Sequence, residues 1–207
     1  VTLKSDLLAG IAERYRPGEP VTPDVDEAVK AAAALLEEDA GAPDLAANGA
    51  LLAGCWQLRF DSRDLLHASA DMDRMSGGML PKQSVAIHNT FQELRSPTQD
   101  AQGFYRNTMV MEQAGVGFLY ISTASFTVDA DTPNIFNVSF YGTSFVPLNA
   151  KGGASAVRQA LNMPDHMPMD MTLPEPMGPF PALVTYCDES LRINRGADYI
   201  SVLERIA

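Results

Sequence analysis

The chain has 207 residues, 46% of them hydrophobic, with 26 acidic side chains against 15 basic ones and a formal net charge of −11. That length supports one substantial core, and that charge excludes a nucleic-acid partner, since no basic stripe is present to neutralise phosphates. Two cysteines, Cys55 and Cys187, are too few for a disulfide framework and are read as reduced, buried thiols.

Leu3, Leu7, Leu8, Ile11 and Tyr15 recur at helical spacing, and the Pro-Gly pair at 17–18 stops them. A second helix is predicted from Val25 to Glu38. Thr22 fits its N-cap, Pro23 its first position, and Asp24, Asp26 and Glu27 its positive dipole end. Its alanine-rich body favours helix and close packing. Part of the acidity is local, because residues 1–50 carry ten acidic and four basic side chains. The two helices carry no chemistry of their own and are expected to cover one end or side of the β structure formed by the rest of the chain.

From residue 54 the pattern changes to period two. Residues 54–61 place Trp56, Leu58 and Phe60 on one face, and residues 84–94 alternate Val85, Ile87 and Phe91. Residues 103–112 put Phe104 and Val110 on one face, with Tyr105, Met109 and Met111 on the other. Strands are also predicted at 118–128, at 134–141 with Phe136, Val138 and Phe140 aligned, and at 145–148. The turn at 113–115 makes a hairpin, so the pairing is antiparallel and sequential. Residues 62–82 read as loop, with Gly77, Gly78 and Pro81 as breakers, and residues 154–161 read as a short helix. The proline- and methionine-rich stretch 163–181 reads as a long loop. Strands at 183–187 and 199–206 then close the structure.

Helices followed by strands, without alternating crossovers, exclude a doubly wound sheet. The expected fold is mainly β (α+β): one domain over 1–207, with a helical region at 1–50 and an antiparallel lipocalin-like β-barrel at 51–207. Closed barrels are cups, and one parity of each strand lines them. Candidate cavity liners are Tyr105, Met109, Met111, Phe118, Tyr120, Phe136 and Val138, because methionine and aromatic side chains suit a long flexible apolar molecule. The competing expectation is that they pack against one another. Met163, Met167, Met169, Met171 and Met177 present the same choice, between an apolar rim and a loop tacked to the core.

Catalysis finds little support. Of the three histidines, His67, His88 and His166, His88 is expected to face solvent. Asp64, His67, Asp71 and Asp73 lack the spacing of a metal site. Ser62 sits on no nucleophile elbow, and the Gly pair at 152–153 is no phosphate loop. A Cu(I) site built from methionine thioethers would want histidine pairs or a secretory context. No catalytic residue, metal site or cofactor is therefore expected, and a barrel hydrolase or isomerase would have to be built on His67 or His88.

Trp56, the lone tryptophan, is expected to plug the barrel end with its N–H on a partner. Arg192 would lie across that ring and donate to backbone carbonyls, a contact worth about 1–2 kcal/mol. Arg195 would pair with an acid such as Asp188.

Residues 51–60 (LLAGCWQLRF) resemble the LLxGxWxLxY segment that opens the plastid lipid-associated protein family, the fibrillins of chloroplasts and cyanobacteria. Residues 186–196 (YCDESLRINRG) resemble that family's closing YxDxxLRIxRG signature. The signature falls on Gly54, Trp56, Tyr186, Asp188, Leu191, Arg192, Ile193, Arg195 and Gly196. This resemblance implies a lipocalin-like barrel without catalytic machinery that binds lipids, isoprenoid quinones or carotenoids. It further implies a cyanobacterial source and a place near photosynthetic membranes; with no signal-peptide pattern at its start, the chain is expected to be cytoplasmic, with peripheral contact to thylakoid membrane. After Gly196, however, family members continue with another glycine and an FVL strand, where this chain reads ADYISVL. The last turn must differ, so ligand identity is not inherited. The alternative function is a structural or interaction protein of photosynthetic membranes with a solidly packed barrel.

Overall fold

The computed structural model describes residues 2–15, 20–63, 69–76, 78–96, 102–148 and 152–206. Helices α1 (Leu3–Arg14) and α2 (Pro23–Ala40) come first. The strands described are β1 (Gly54–Asp61), β2 (Ser69–Asp71), β3 (Ser84–Arg95), β4 (Gly103–Gln113), β5 (Val116–Val128), β6 (Ile135–Pro147), β7 (Asp170–Cys187), β8 (Leu191–Arg195) and β9 (Ile200–Arg205). A helical turn α3 (Met72–Met75) follows β2, and helix α4 (Gly153–Ala160) lies between β6 and β7.

Every pairing is antiparallel. The order β1-β9-β8-β7-β6-β5-β4-β3 closes on itself because β1 also pairs with β3. The result is an eight-stranded antiparallel barrel preceded by two helices. First and last strands lie side by side, Trp56 opposite Arg205 and Leu58 opposite Leu203. β2 pairs with the other end of β3, at residues 84–86.

The helices pack outside the wall made by β7, β8, β9 and β1. Leu7 and Ile11 of α1 and Val29, Ala33 and Leu36 of α2 join Phe60, Ile193 and Val202 in one buried cluster. The Tyr15 ring meets Phe60 edge-on at 5.3 Å. Polar pins add direction: Lys4 reaches Asp188 at 2.7 Å, and Glu37 takes Arg195 at 2.8 Å. This cover explains why Leu191 to Asn194 are all buried, one parity under helices and the other inside the barrel. Each apolar side chain fully buried there stabilises by about 1.5–3 kcal/mol. Thr2 and Ser5 form a capping box on α1, whereas Thr22 occupies the α2 N-cap without a side-chain bond.

Bulges decide which residues face inward. The register of β1 shifts between Leu58 and Phe60. Trp56 and Leu58 point into the barrel, but Phe60 turns out under α1, and Asp61 turns in to take the Ser201 hydroxyl at 2.6 Å. The predicted common face of Trp56, Leu58 and Phe60 is therefore broken by one extra residue. A shift between Ile87 and Asn89 does the same in β3. Val85 and Ile87 point inward before it and Thr90 and Leu94 after it, so Phe91 does not share their face. The predicted segments 134–141 and 145–148 are one strand, β6, bulged at Tyr141. Inward parity passes there from Phe136 and Val138 to Thr143 and Phe145.

The long loop predicted at 163–181 is overturned from residue 170 onward, where β7 runs. Pro174 and Pro176 fall between Thr172 and Met177, where β7 has slipped out of register with β6. On its other side β8 pairs only with 183–187. A proline N–H missing at such an edge costs no ladder bond.

Candidate functional site

The barrel floor is built on Trp56, which is fully buried and donates its indole N–H to the Leu52 carbonyl at 3.0 Å. Two guanidinium groups approach its ring, Arg205 at 4.5 Å and Arg192 at 4.9 Å from the centroid. The backbone carbonyls expected to hold Arg192 are taken by Arg205 instead, which donates to Ala53 at 2.7 Å and Leu51 at 2.6 Å. The cause is register: Arg205 stands directly opposite Trp56, beside the turn that precedes β1. Arg192 donates to the Gln92 side chain, and its Nε and Nη1 have no partner. Burial pulls its pKa down to about 10.

The other residues of the two motifs make turn, packing and ion-pair contacts. Gly54 has φ 138°, a conformation that L side chains rarely adopt. A Cβ on Gly196 would lie 1.9 Å from the Tyr199 ring, and the Arg63 guanidinium lies over that ring at 3.5 Å. Leu191 and Ile193 are fully buried beneath the helices. Arg195 pairs with Glu37 rather than Asp188, because it projects from β8 toward α2. Asp188 instead organises the β7–β8 turn. It accepts the amides of Ser190 and Leu191 at 2.8 Å each, the Tyr186 hydroxyl at 2.8 Å and the Lys4 ammonium at 2.7 Å. Burial opposes its ionisation, but Lys4, the amides and Tyr186 outweigh it and hold the carboxyl well below the usual range. Cys55 and Cys187 are free and half-buried, and burial raises the Cys187 thiol to about 11.

Above this floor the interior separates into two packed regions with a gap between them. The first surrounds Trp56 and contains Tyr105, Phe126, Phe136 and Val138. The second seals the far end and contains Met111 and Phe118 beside Met72, Leu80 and Val157. The gap is a cavity of about 180 Å³. β4 contributes Asn107 and Met109, β5 Tyr120 and Ser122, and β6 Phe140 and Thr143. Leu173 and Met177 of β7 form its rim, with Met75 and Met79 above. The Tyr120 hydroxyl pins that upper segment by donating to the Met75 carbonyl at 2.8 Å.

Of the seven candidate liners, Met109 and Tyr120 reach this cavity. Tyr105, Phe136 and Val138 lie in the packing around Trp56, where burial raises the Tyr105 phenol to about 12. Met111 and Phe118 lie in the packing at the far end. Asn107 was legible as a polar residue between two inward positions of β4. Thr143 was hidden by the bulge at Tyr141, and Met75 and Met79 belong to a segment without periodicity.

A wider groove of about 590 Å³ lies outside the wall, between α1 and the point where β1 and β3 part. Leu8 and Ile11 line one side, and His88 and Glu204 the other. His88 is exposed and 3.6 Å from Glu112. Asp64 and His67 lie outside the described residues. Among the described residues no three His, Cys, Asp or Glu side chains are grouped to hold a metal ion, and no helix is long and apolar enough to cross a membrane.

No curated protein and no solved structure matches the chain. The family model named PAP_fibrillin matches it over residues 1–203. Nearly the whole barrel and both helices fall within that match, including the floor around Trp56 and the β7–β8 turn. The chain thus belongs to the PAP_fibrillin family, non-catalytic binding and scaffold proteins associated with lipids and small molecules of plastid membranes.

Proposed function

We propose that this protein binds a small apolar molecule, such as a lipid, isoprenoid quinone or carotenoid, by taking one end of it into the barrel cavity. The observation that carries this is the gap between the two packed regions, walled by Met75, Met79, Met109, Phe140 and Leu173. At about 30 Å³ per water-sized group, a volume of about 180 Å³ holds about six such groups. That is a head and the start of a chain, so the remainder of a long molecule lies outside. The rim supplies its place. Met177 and Phe180 of β7 are 39% and 47% exposed, and Phe180 packs 6.0 Å from Phe140 of the cavity wall. Apolar area removed from water there contributes about 25 cal/mol per Å².

The same rim would make the contact with a thylakoid surface from the cytoplasmic side. A chain of charge −11 is repelled by anionic lipid, so such contact runs through Met177 and Phe180 rather than through charge. Packing of most of the interior favours the second function, an interaction protein, to the extent that the cavity stays empty.

Trp56, the only tryptophan, sits on the barrel floor and serves as a reporter. Titration with a short-tailed isoprenoid quinone is expected to quench its fluorescence saturably. Met109→Glu, which sets a charge on the cavity wall, is expected to abolish saturation while circular dichroism is unchanged. Linear quenching, identical in both proteins, would be collisional and would contradict the proposal.

A further inference from the structure

We infer that the end of the ligand entering the barrel carries an uncharged hydroxyl group, held between Asn107 and Thr143. This rests on the ligand-binding function proposed above and names the chemistry of that site. It begins with a row of cross-strand partners. Gln92 of β3 faces Asn107 of β4, Asn107 faces Ser122 of β5, and Ser122 faces Thr143 of β6. A polar belt therefore crosses an inner wall otherwise made of methionine and aromatic side chains, and Asn107, Ser122 and Thr143 all border the cavity.

Among the described residues, two buried polar atoms of that wall lack partners. The Tyr120 hydroxyl is committed to the Met75 carbonyl. The Ser76 hydroxyl accepts the Leu80 amide at 2.9 Å and donates to the Asp73 carbonyl at 3.3 Å. Asn107 Oδ1 and Thr143 Oγ1 are buried and make no hydrogen bond, and Thr143 is only 5% exposed. Buried polar atoms are costly unless paired, so this pair points to a group that completes it.

An amide and a hydroxyl each offer both a donor and an acceptor. A ligand hydroxyl satisfies both at once, donating to one and accepting from the other. A ketone accepts from Thr143 but leaves the Asn107 oxygen unpaired, so a quinone still enters the cavity but is held more weakly than its hydroxyl-bearing quinol. An ionised carboxylate or phosphate would lose its hydration without gaining a counter-charge, because no Lys, Arg or His stands among the described lining residues. The rival is Arg192, whose two unpartnered nitrogens lie beyond Gln92 at the floor. If Arg192 governed binding, an anion would bind best.

The test uses protein labelled with ¹³C at the methionine methyls, titrated with 1-octanol and separately with octanoate at about pH 8, where the acid is ionised. Met75, Met79, Met109 and Met177 report the cavity, and Met111 and Met163, packed away from it, report the fold. Octanol is expected to shift the cavity methyls with an affinity about tenfold tighter than octanoate. Thr143→Val and Asn107→Leu should each weaken octanol about fivefold and leave octanoate within about twofold. Thr143→Ser keeps the hydroxyl and is expected to keep the preference, which separates chemistry from misfolding. Octanoate binding as tightly as octanol, or octanol affinity unchanged in both apolar variants, overturns the hydroxyl inference and leaves the cavity in use. Cavity methyls unmoved by either compound overturn both the inference and the proposed function.

Discussion

Asp188 concentrates the logic of the closing motif in one carboxylate. Its five donors come from the β7–β8 turn (the Ser190 and Leu191 amides and the Ser190 hydroxyl), from Tyr186 two residues before it, and from Lys4 on α1. One side chain therefore ties the turn to the helical cover. Its folded pKa lies below the ordinary value of about 4. The stability it contributes is thus fully present above about pH 4 and is lost as pH falls through the depressed folded value. Asp188→Asn should cost about 2 kcal/mol at pH 7, read by urea unfolding, and the gap from wild type should be clearly narrower at about pH 2. An equal gap at both pH values would show that the carboxylate's charge is not what matters. Arg192, on β8 just after that turn, is the counter-example. Fully buried and bonded to Gln92 alone, it has no carboxylate partner, so its contact with Trp56 offsets only part of the cost of burying it.

At the scale of elements, period-two patterning located most of the strands that were predicted, because half-buried strands write their faces into the sequence. It could not carry parity through a bulge. One extra residue between Leu58 and Phe60, at His88 and at Tyr141 exchanges inside for outside, and the cavity wall depends on the last of these. Only Met109 and Tyr120 of the seven candidate liners reach that wall, since patterning reports a face but not the height along the barrel at which packing leaves a gap. β7 failed for a different reason. Its prolines argue against a central strand, yet residues 172–177 form an edge where no ladder bond is lost. The consequence is measurable by amide hydrogen exchange. The amides of Leu173 and Glu175, in the stretch without a register partner, are expected to exchange well before those in 183–187, which pair with β6 or β8. Equal protection of the two sets would contradict the edge.

At the scale of the molecule, the pairing of β1 with both β3 and β9 closes the sheet into a barrel, and two helices brace the wall at β8 and β9, the shortest strands of that barrel. The interior is packed at both ends and left open in the middle, at the level of Asn107 and Thr143. A chain that needed only a stable barrel would gain by filling that gap. The most direct test is mass spectrometry of an organic extract of the protein purified from a pigment-containing photosynthetic host, with Met109→Glu as the control. The account predicts a stoichiometric lipid, quinone or carotenoid in the wild type and its loss from the folded variant. An extract empty at stoichiometric sensitivity, or a compound retained equally by both proteins, would contradict it.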